Sequence, residues 1–391
     1  MKICFTTNSS PWSKFHGGGQ IFIHNLAQEL CELGHDVFVI YTGPKKIQIN
    51  KDMNPKYKAF FVPYLGYPIT GKLRQLNSIA IIKKIKKILA SNKIDIINSV
   101  GSESLFIPRL CKKKEIKFVI SLEYPNLENV KLKYSLSNPF SNFINLIRSR
   151  ELRIIKHVSQ RAHKVVTPSI FTKIQANIFF KVPYSKIKVI NHGIIEDFMI
   201  SNFEKLPRTN KGPVIYFGRL EPQKGVDLLI NAYNKLIQQK IIRSQKLIII
   251  GTGPSQKKYY KLSQKLGLKN KVIFEGWCSQ NHIKTRLSLA SICVLPSRFE
   301  SFGLSIAESL ALNVPVVTTL SGSIPEVVDY GKAAWIAKSS DIDSLALTMK
   351  NALEKYDESI RKAKHGLLHV KKNYSWKYAA KSYEKLYLSI N

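Results

Sequence analysis

Short apolar runs rich in Ile and Val alternate with helix-period segments through most of the chain. This alternation is the strongest constraint on its fold. In the first half the runs are KICFT (2–6), DVFVIY (36–41), KAFFV (58–62), IDIIN (94–98), KFVISL (117–122), KVVT (164–167) and KIKVIN (186–191). Between Gly18 and Leu33, Phe22, Leu26, Leu30 and Leu33 recur at helical spacing, and Gly34 follows as a stop signal. A Lys/Ile stretch over about 73–90 and a longer segment over about 142–162 are also helix-like. Strands separated by helices cannot be joined as hairpins. Each connection crosses over, so neighbouring strands run parallel with helices on both faces.

The series breaks once. SNFEKLPRTNKGP (201–213) is polar, carries two prolines and reads as a linker. Beyond it the alternation restarts with VIYFG (214–218), KLIIIG (246–251), KVIFEG (271–276), ICVLP (292–296), VPVVTT (314–319) and AAWIA (333–337). A chain of 391 residues is too long for one ordinary core and suits two domains of roughly 150–200 residues each. The expectation is an α/β protein of two doubly wound, Rossmann-like halves joined near residue 200. Ligands bind such sheets at the carboxyl ends of the strands, which puts the expected site in a cleft between the two halves.

Charge narrows the partners. With 61 Lys+Arg against 26 Asp+Glu the net charge is +35, which favours a nucleotide, a phospholipid surface or a nucleic acid. The lysines arrive with many Ile and Asn, a pattern that biased codon usage also produces. Five scattered cysteines without a CxxC spacing argue for a reducing compartment and against a zinc site or a disulfide framework. The opening MKICFTTNSSPW is too short in apolar residues for a signal peptide, and no window approaches the ~20 apolar residues of a membrane span. The expected location is the cytoplasm, with any membrane contact peripheral.

In so basic a chain, two acids in PSRFESFGLSIAESL (296–310) stand out: Glu300 and Glu308. A helix starting near Phe302–Gly303 presents free backbone N–H groups and a positive dipole end, both suited to phosphate. Carboxylates on either side of it suit vicinal sugar hydroxyls. Alternatively, Glu308 is a surface residue and Glu300 a charge favoured by the helix dipole. FGRLEPQKG (217–225) places Arg219 and Lys224 after a strand, a fork and a point charge suited to a diphosphate, or else a solvated basic loop. IIIGTGP (248–254) runs into a turn whose Gly251 serves the backbone reversal by itself. SGSIPEVV (321–328) opens a helix with Ser323 and Glu326 at capping-box spacing.

Taken in order, Arg219, Lys224, Glu300 and Glu308 with FGL between them, and the SGSIPE loop resemble glycosyltransferase family 4. These are retaining, nucleotide-sugar-dependent enzymes of group 1 with the GT-B fold. HGGGQIFIHNLAQELCELGHDVFVI (16–40), KIKVINHGI (186–194) and YSWKYAAKSYEKLY (374–387) resemble the family's N-terminal glycine loop, domain crossover and C-terminal returning helix. The resemblance implies an acceptor-binding domain over 1–198, with 375–391 packing back onto it, and a nucleotide-sugar domain over 199–374. It implies that Arg219 and Lys224 hold the diphosphate and balance the leaving charge. The amides of Phe302, Gly303 and Leu304 hold diphosphate or sugar oxygens, Glu308 the ribose, and Glu300 the donor sugar. Gly18 and Gly19 lie where donor phosphate and acceptor meet. Gly251, Gly276 and Trp277 border the donor, with the base near Glu275–Trp277. No metal or cofactor is expected, because protein cations take the metal's role.

Two departures accompany the resemblance. The family often has a His near the sugar where VISLEYPN (119–126) aligns Glu123, so either Glu123 makes that hydrogen bond or the donor differs. Asn191-His192-Gly193 inserts a His where the family usually has Asn-Gly; it reads as a packing residue, as do the other histidines, His16 least firmly.

The acceptor side is basic. IAIIKKIKKILASNK (79–93) is amphipathic, suited either to a core or to an anionic membrane, and the core-facing reading is preferred. Residues 131–150 mix apolar, aromatic and basic residues outside a clear pattern, and there the membrane reading is preferred. The expected reaction is transfer of a hexose from a nucleotide sugar, UDP- rather than GDP-linked, to a glycan, glycolipid or lipid-linked acceptor. A sugar-nucleotide epimerase or hydrolase of the same fold is the alternative. A nucleic-acid-binding protein is disfavoured because no binding module or aromatic-lined basic groove is present. The sequence leaves the oligomeric state open.

Overall fold

The structure, a computed structural model, describes residues 1–8, 18–43, 55–63, 77–123, 139–194, 198, 209–242 and 244–390. The chain divides into two compact units, Met1–His192 with Trp376–Asn391, and Gly193–Ser375.

In the first unit the strands are β1 (Lys2–Thr7), β2 (Asp36–Gly43), β3 (Lys58–Pro63), β4 (Ile96–Ser99), β5 (Lys117–Ser121), β6 (Lys164–Thr167) and β7 (Ile187–Val189). They form one parallel sheet in the order β3-β2-β1-β4-β5-β6-β7. The helices of this unit are α1 (Gly18–Glu32), α2 (Asn77–Leu89), α3 (Ile107–Lys114), α4 (Pro139–Arg161) and α5 (Ile170–Phe180). Strands buried on both faces need apolar residues on both faces, which is why the sequence shows continuous rather than alternating apolar runs.

The second unit holds β8 (Val214–Phe217), β9 (Leu247–Ile250), β10 (Val272–Gly276), β11 (Ile292–Leu295), β12 (Val316–Thr319) and β13 (Trp335–Ala337). Their order is β10-β9-β8-β11-β12-β13, again all parallel. Its helices are α6 (Val226–Gln238), α7 (Gln256–Lys265), α8 (Gln280–Ser288), α9 (Leu304–Ala311), α10 (Ile324–Val327), α11 (Ile342–Glu354) and α12 (Tyr356–Asn373). The chain then returns to the first unit as α13 (Trp376–Leu388), whose Trp376, Tyr383 and Tyr387 join the core around Phe22 and Leu26 of α1.

The change of unit comes at His192–Gly193, a little before the sequence boundary at 198. Phe198 and Ile194 lie in the second unit's core. The backbone explains this: Ile194 bridges Ser375 in parallel, and its amide donates to the Tyr374 carbonyl at 3.0 Å.

Two expectations about the basic first half meet the structure. On α2, Ile81, Ile85 and Ile88 are buried in the core, while Lys83, Lys86 and Lys87 face solvent and Lys84 lies over the Phe60 ring. Fully burying an Ile is worth about 1.5–3 kcal/mol, so this stripe is spent on folding and is not free for a bilayer. The helix-like segment expected over about 142–162 is α4, which starts three residues earlier and so takes in most of 131–150, where no clear pattern is legible. The helix begins at Pro139, where a missing N–H costs nothing. Residues 131–138 lie outside the described residues.

Candidate functional site

In the second sheet β8 lies between β9 and β11, and this is where the strand order reverses. Loops leaving neighbouring strands diverge there and leave a crevice at the carboxyl edge. The residues singled out from the sequence of this half leave that edge: Arg219 and Lys224 after β8, Gly251 after β9, Gly276 and Trp277 at the end of β10, and Glu300–Glu308 after β11.

The loops are stitched together by backbone. The Gly218 amide donates to Ile250 O at 3.0 Å, the Leu220 amide to Thr252 O at 2.9 Å, and the Gly251 amide to Gly276 O at 2.6 Å. Gly251 has φ +135°, and a Cβ there would overlap the Gly218 carbonyl oxygen. Only glycine satisfies both the conformation and the approach.

Arg219 is 57% exposed and its guanidinium lies 2.6 Å from Glu221. Its carbonyl accepts from the buried Tyr216 hydroxyl at 3.0 Å, so the base of the loop is fixed while the charged end stays accessible. Lys224 ends a short 3₁₀ turn, and its Nζ lies 2.7 Å from Glu300 Oε1. The same oxygen accepts from Ser297 Oγ at 2.7 Å. Glu300 is therefore held from two sides and is only 14% exposed.

Gly303, at φ +101°, caps α9. Its carbonyl accepts from the amides of Ile306 and Ala307, and the Leu304 and Ser305 amides belong to the first turn, where a helix leaves its N–H groups without intrahelical acceptors. One turn on, Glu308 is half-buried, and its carboxyl has no hydrogen-bond or ion-pair partner among the described residues. The protein packed around it pushes its pKa up to about 8. The rest of that turn, Ile306, Ala307 and Leu310, is core.

The SGSIPE loop supports this cluster differently from the sequence expectation. Ser323 makes no side-chain cap on α10, so the capping box with Glu326 does not form. Its hydroxyl instead donates to Glu300 O at 3.2 Å and Phe302 O at 3.0 Å, and its amide donates to Glu300 O at 3.0 Å. The carbonyls of the 300–302 loop compete for the same hydroxyl and hold it.

Near the expected base pocket, Trp277 is 63% exposed. Glu275 does not point freely there: its two oxygens engage Arg286 at 2.5 Å and His282 Nε2 at 2.8 Å. Glu275, Cys278 and His282 are the one trio among the described residues with metal-ligand spacing, but the Arg286 guanidinium already occupies the carboxylate and opposes a second cation.

In the first unit Glu123, just past β5, lies 2.8 Å from Nε2 of His192, just past β7. His192 is buried, stacked on Phe22 at 4.8 Å and tilted against Trp376 at 5.8 Å. The two departures from the family pattern are thus partners. Gly18 and Gly19 open α1; His16 lies outside the described residues.

Sequence reasoning does not single out Glu103. It follows β4, is fully buried, and accepts from the amides of Val100 at 3.1 Å and Gly101 at 2.9 Å through one oxygen. The other oxygen has no hydrogen-bond partner among the described residues, and burial raises the carboxyl's pKa to about 7. An acid directly after a strand's carboxyl end, flanked by Gly and Ser in GSES, is the signal that marks it.

Residues 16–198 match the model of glycosyltransferase family 4, and residues 199–367 that of group 1 glycosyl transferases. This chain is a family 4 glycosyltransferase. An uncharacterised glycosyltransferase of Methanocaldococcus jannaschii is 25% identical to it over 99% of this chain and 98% of its own. Among solved structures, sucrose-phosphate synthase of Thermosynechococcus elongatus superposes with a TM-score of 0.79 at 18% identity, over 100% of this chain and 98% of its own. Anabaena HepE in complex with UDP and glucose gives 0.75 at 18% identity, covering 99% of both chains. This glycosyltransferase thus has the GT-B fold, two parallel-sheet Rossmann-like halves. Among the described residues, no helix is long and apolar enough to cross a membrane.

Proposed function

We propose that this glycosyltransferase moves a hexose, with retention of configuration, from a nucleoside-diphosphate sugar to a glycan, glycolipid or lipid-linked acceptor, and that its donor is UDP- rather than GDP-linked. One observation carries the reading. At the strand-order reversal of the second sheet, two cations, a glycine-capped helix start and an unpartnered half-buried carboxyl share the carboxyl edge.

Each element answers a part of such a donor. A diphosphate carries charge that Arg219 meets as a fork and Lys224 as a point charge. The first-turn amides of α9 add donors to phosphate oxygens without bringing a counter-ion. As the glycosidic bond breaks, negative charge grows on the leaving phosphate. Cations already in place stabilise that charge without reorganising, so the reaction needs neither metal nor cofactor. Glu308, without a partner among the described residues, suits the two ribose hydroxyls once it is ionised. Glu300, fixed by Lys224 and Ser297, suits a hydroxyl of the transferred sugar, and Glu123 stands in for the family's usual histidine. The likeness to a structure solved with UDP and glucose supports uridine as the base. The basic first half supports an acceptor with anionic character. The reading places the enzyme in the cytoplasm, with peripheral membrane contact only.

Isothermal calorimetry with UDP and GDP, followed by NMR of the anomeric product formed from the preferred donor, tests the reading. Tighter UDP binding and a retained anomer are the expected results. Absence of binding to both nucleotides would overturn it.

A further inference from the structure

One cavity of the first unit lies away from the edge where the family chemistry is expected. It has a volume of about 1050 Å³ and opens between α3, the amino end of β5 and the last turn of α4. Parallel strands share one direction, so this is the opposite edge of the sheet from Glu103 and Glu123. The length of β5 separates the two edges by roughly 13 Å.

The lining has a consistent chemistry. Ile116 and Phe118 are buried and form an apolar floor. Arg109 and Lys112 from α3, Lys117 from β5 and Arg161 from α4 surround it, against one acid, Glu115. Arg109, Lys112 and Lys117 have no side-chain partner among the described residues, and Arg161 is bonded only within its own helix, to His157. Elsewhere in the fold, Arg298 and Arg286 show how this chain neutralises a half-buried guanidinium, each with a carboxylate. Here four cations drawn from three elements, Lys117 half-buried and the other three exposed, converge on one concavity without a carboxylate partner among the described residues.

Like charges gathered within a Debye length of about 8–10 Å repel, and an anion placed among them relieves that repulsion. The volume is that of a small-molecule site, in which an apolar floor with a few convergent polar groups is the usual construction. His157 and His163 complete the rim. Burial, with Arg161 beside the first and Lys117 beside the second, lowers the pKa of both. They therefore present neutral rings that bond an oxyanion without adding to the repulsion.

We propose that this cavity at the amino edge of the first sheet binds a phosphate ester, with Arg109, Lys112, Lys117 and Arg161 holding the phosphate and Ile116 and Phe118 receiving the apolar part of the ligand. The ester is either a free metabolite or the headgroup of an anionic phospholipid. In both cases the phosphate chemistry is the same, and the site is separate from the one proposed for the donor.

The test compares two probes on three proteins, all with UDP saturating so that the donor site is occupied. The probes are glycerol phosphate, followed by calorimetry, and phosphatidylglycerol–phosphatidylcholine vesicles, followed by co-sedimentation. The proteins are the wild type, the double variant Arg109→Ala/Lys117→Ala, and the charge-matched control Lys83→Ala/Lys87→Ala on α2. The first variant should bind its probe at least about tenfold more weakly, and the control should bind like the wild type. Saturable binding of glycerol phosphate identifies a free ester, and binding of vesicles alone identifies a headgroup. Equal losses in both variants would reduce the effect to net charge and overturn the proposal, as would no binding of either probe. Because Arg109 and Lys117 both keep solvent exposure, folding should survive; Arg109→Gln alone, expected to weaken binding about threefold, provides a second reading. UDP affinity should be the same in every variant, so failure here leaves the donor reading standing.

Discussion

Lys224 Nζ and Glu300 Oε1 lie 2.7 Å apart, at 25% and 14% exposure, and join the turn after β8 to the loop after β11. A diphosphate in this crevice competes with Glu300 for Lys224. The ion pair therefore holds the lysine in position before the donor arrives and is weakened when it binds. Lys224→Ala and Arg219→Ala should each weaken UDP binding by about tenfold or more, or ~1.4 kcal/mol. Lys83→Ala, on the solvent face of α2, should leave it unchanged. Calorimetry on the three variants checks this, and normal affinity in both site variants would remove the cations from the donor site.

Glu308 connects the site to pH. Its folded pKa of about 8 lies above the usual carboxyl value, so the folded chain holds a proton that the unfolded chain releases. Its contribution to stability is complete below pH ~4.5 and is lost as pH rises towards 8. Glu103, at about 7, acts in the same direction. A tenfold change in proton affinity corresponds to about 1.36 kcal/mol, but Glu308 keeps some exposure, so a loss of about 2 kcal/mol from this residue is the reasonable scale. Urea midpoints measured from pH 5 to 8.5 should fall, and Glu308→Gln should flatten the curve. Hydroxyls donated to the ionised carboxylate would lower its pKa, so UDP binding near pH 7 should release protons, seen as a dependence of calorimetric heat on buffer ionisation. A heat that is independent of buffer would remove Glu308 from the ribose.

The fold was readable because each strand is a short Ile/Val run bounded by turn residues, and a strand buried on both faces leaves no alternative pattern. The site loops were readable for a related reason: function in such sheets sits just after the strands, and Arg219, Lys224 and Glu300 all lie there. What escaped depends on direction or burial rather than on residue type. Ser323 and Glu326 have capping-box spacing, yet the serine hydroxyl turns to the Glu300 and Phe302 carbonyls. Glu103 looks like a solvated loop acid until β4, β1 and α4 enclose it. Of the cation cluster at the amino edge, Arg109, Lys112 and Lys117 fall in one basic run, RLCKKKEIK (109–117), but nothing in the sequence places Arg161 beside them; the packing of α4 on the sheet does that.

Glu123 and His192 form a buried pair in place of the family's usual arrangement. Glu123→Ala leaves the imidazole without its carboxylate inside a ring of Phe22 and Trp376, and should cost about 1–3 kcal/mol of stability. Glu123→Gln keeps a polar side chain of the same shape beside Nε2 and should cost less. If Glu123 also bonds the transferred sugar, Glu123→Gln should lower kcat while the KM for donor changes little. An unchanged kcat would leave the pair a packing feature alone.

Gly251 provides the most severe test of how the donor loops are built. Its φ of +135° is a conformation that side chains rarely adopt, and a Cβ would meet the Gly218 carbonyl oxygen, which is backbone and cannot rotate away. The Gly251 amide also donates to Gly276 O at 2.6 Å, so moving it away from β8 breaks its link to β10. Gly251→Ala should therefore destabilise the second unit by about 2–4 kcal/mol through backbone strain and separated loops. It should also weaken UDP binding, because the turn carrying Arg219 rests on the same backbone. Gly267→Ala is the control. Gly267 also has a positive φ, but nothing lies within 4 Å of the position a Cβ would take. It should share the conformational cost and leave UDP affinity intact. Equal effects of the two substitutions on UDP binding would mean that strain, rather than the close approach of β8 and β9, sets the geometry of the crevice.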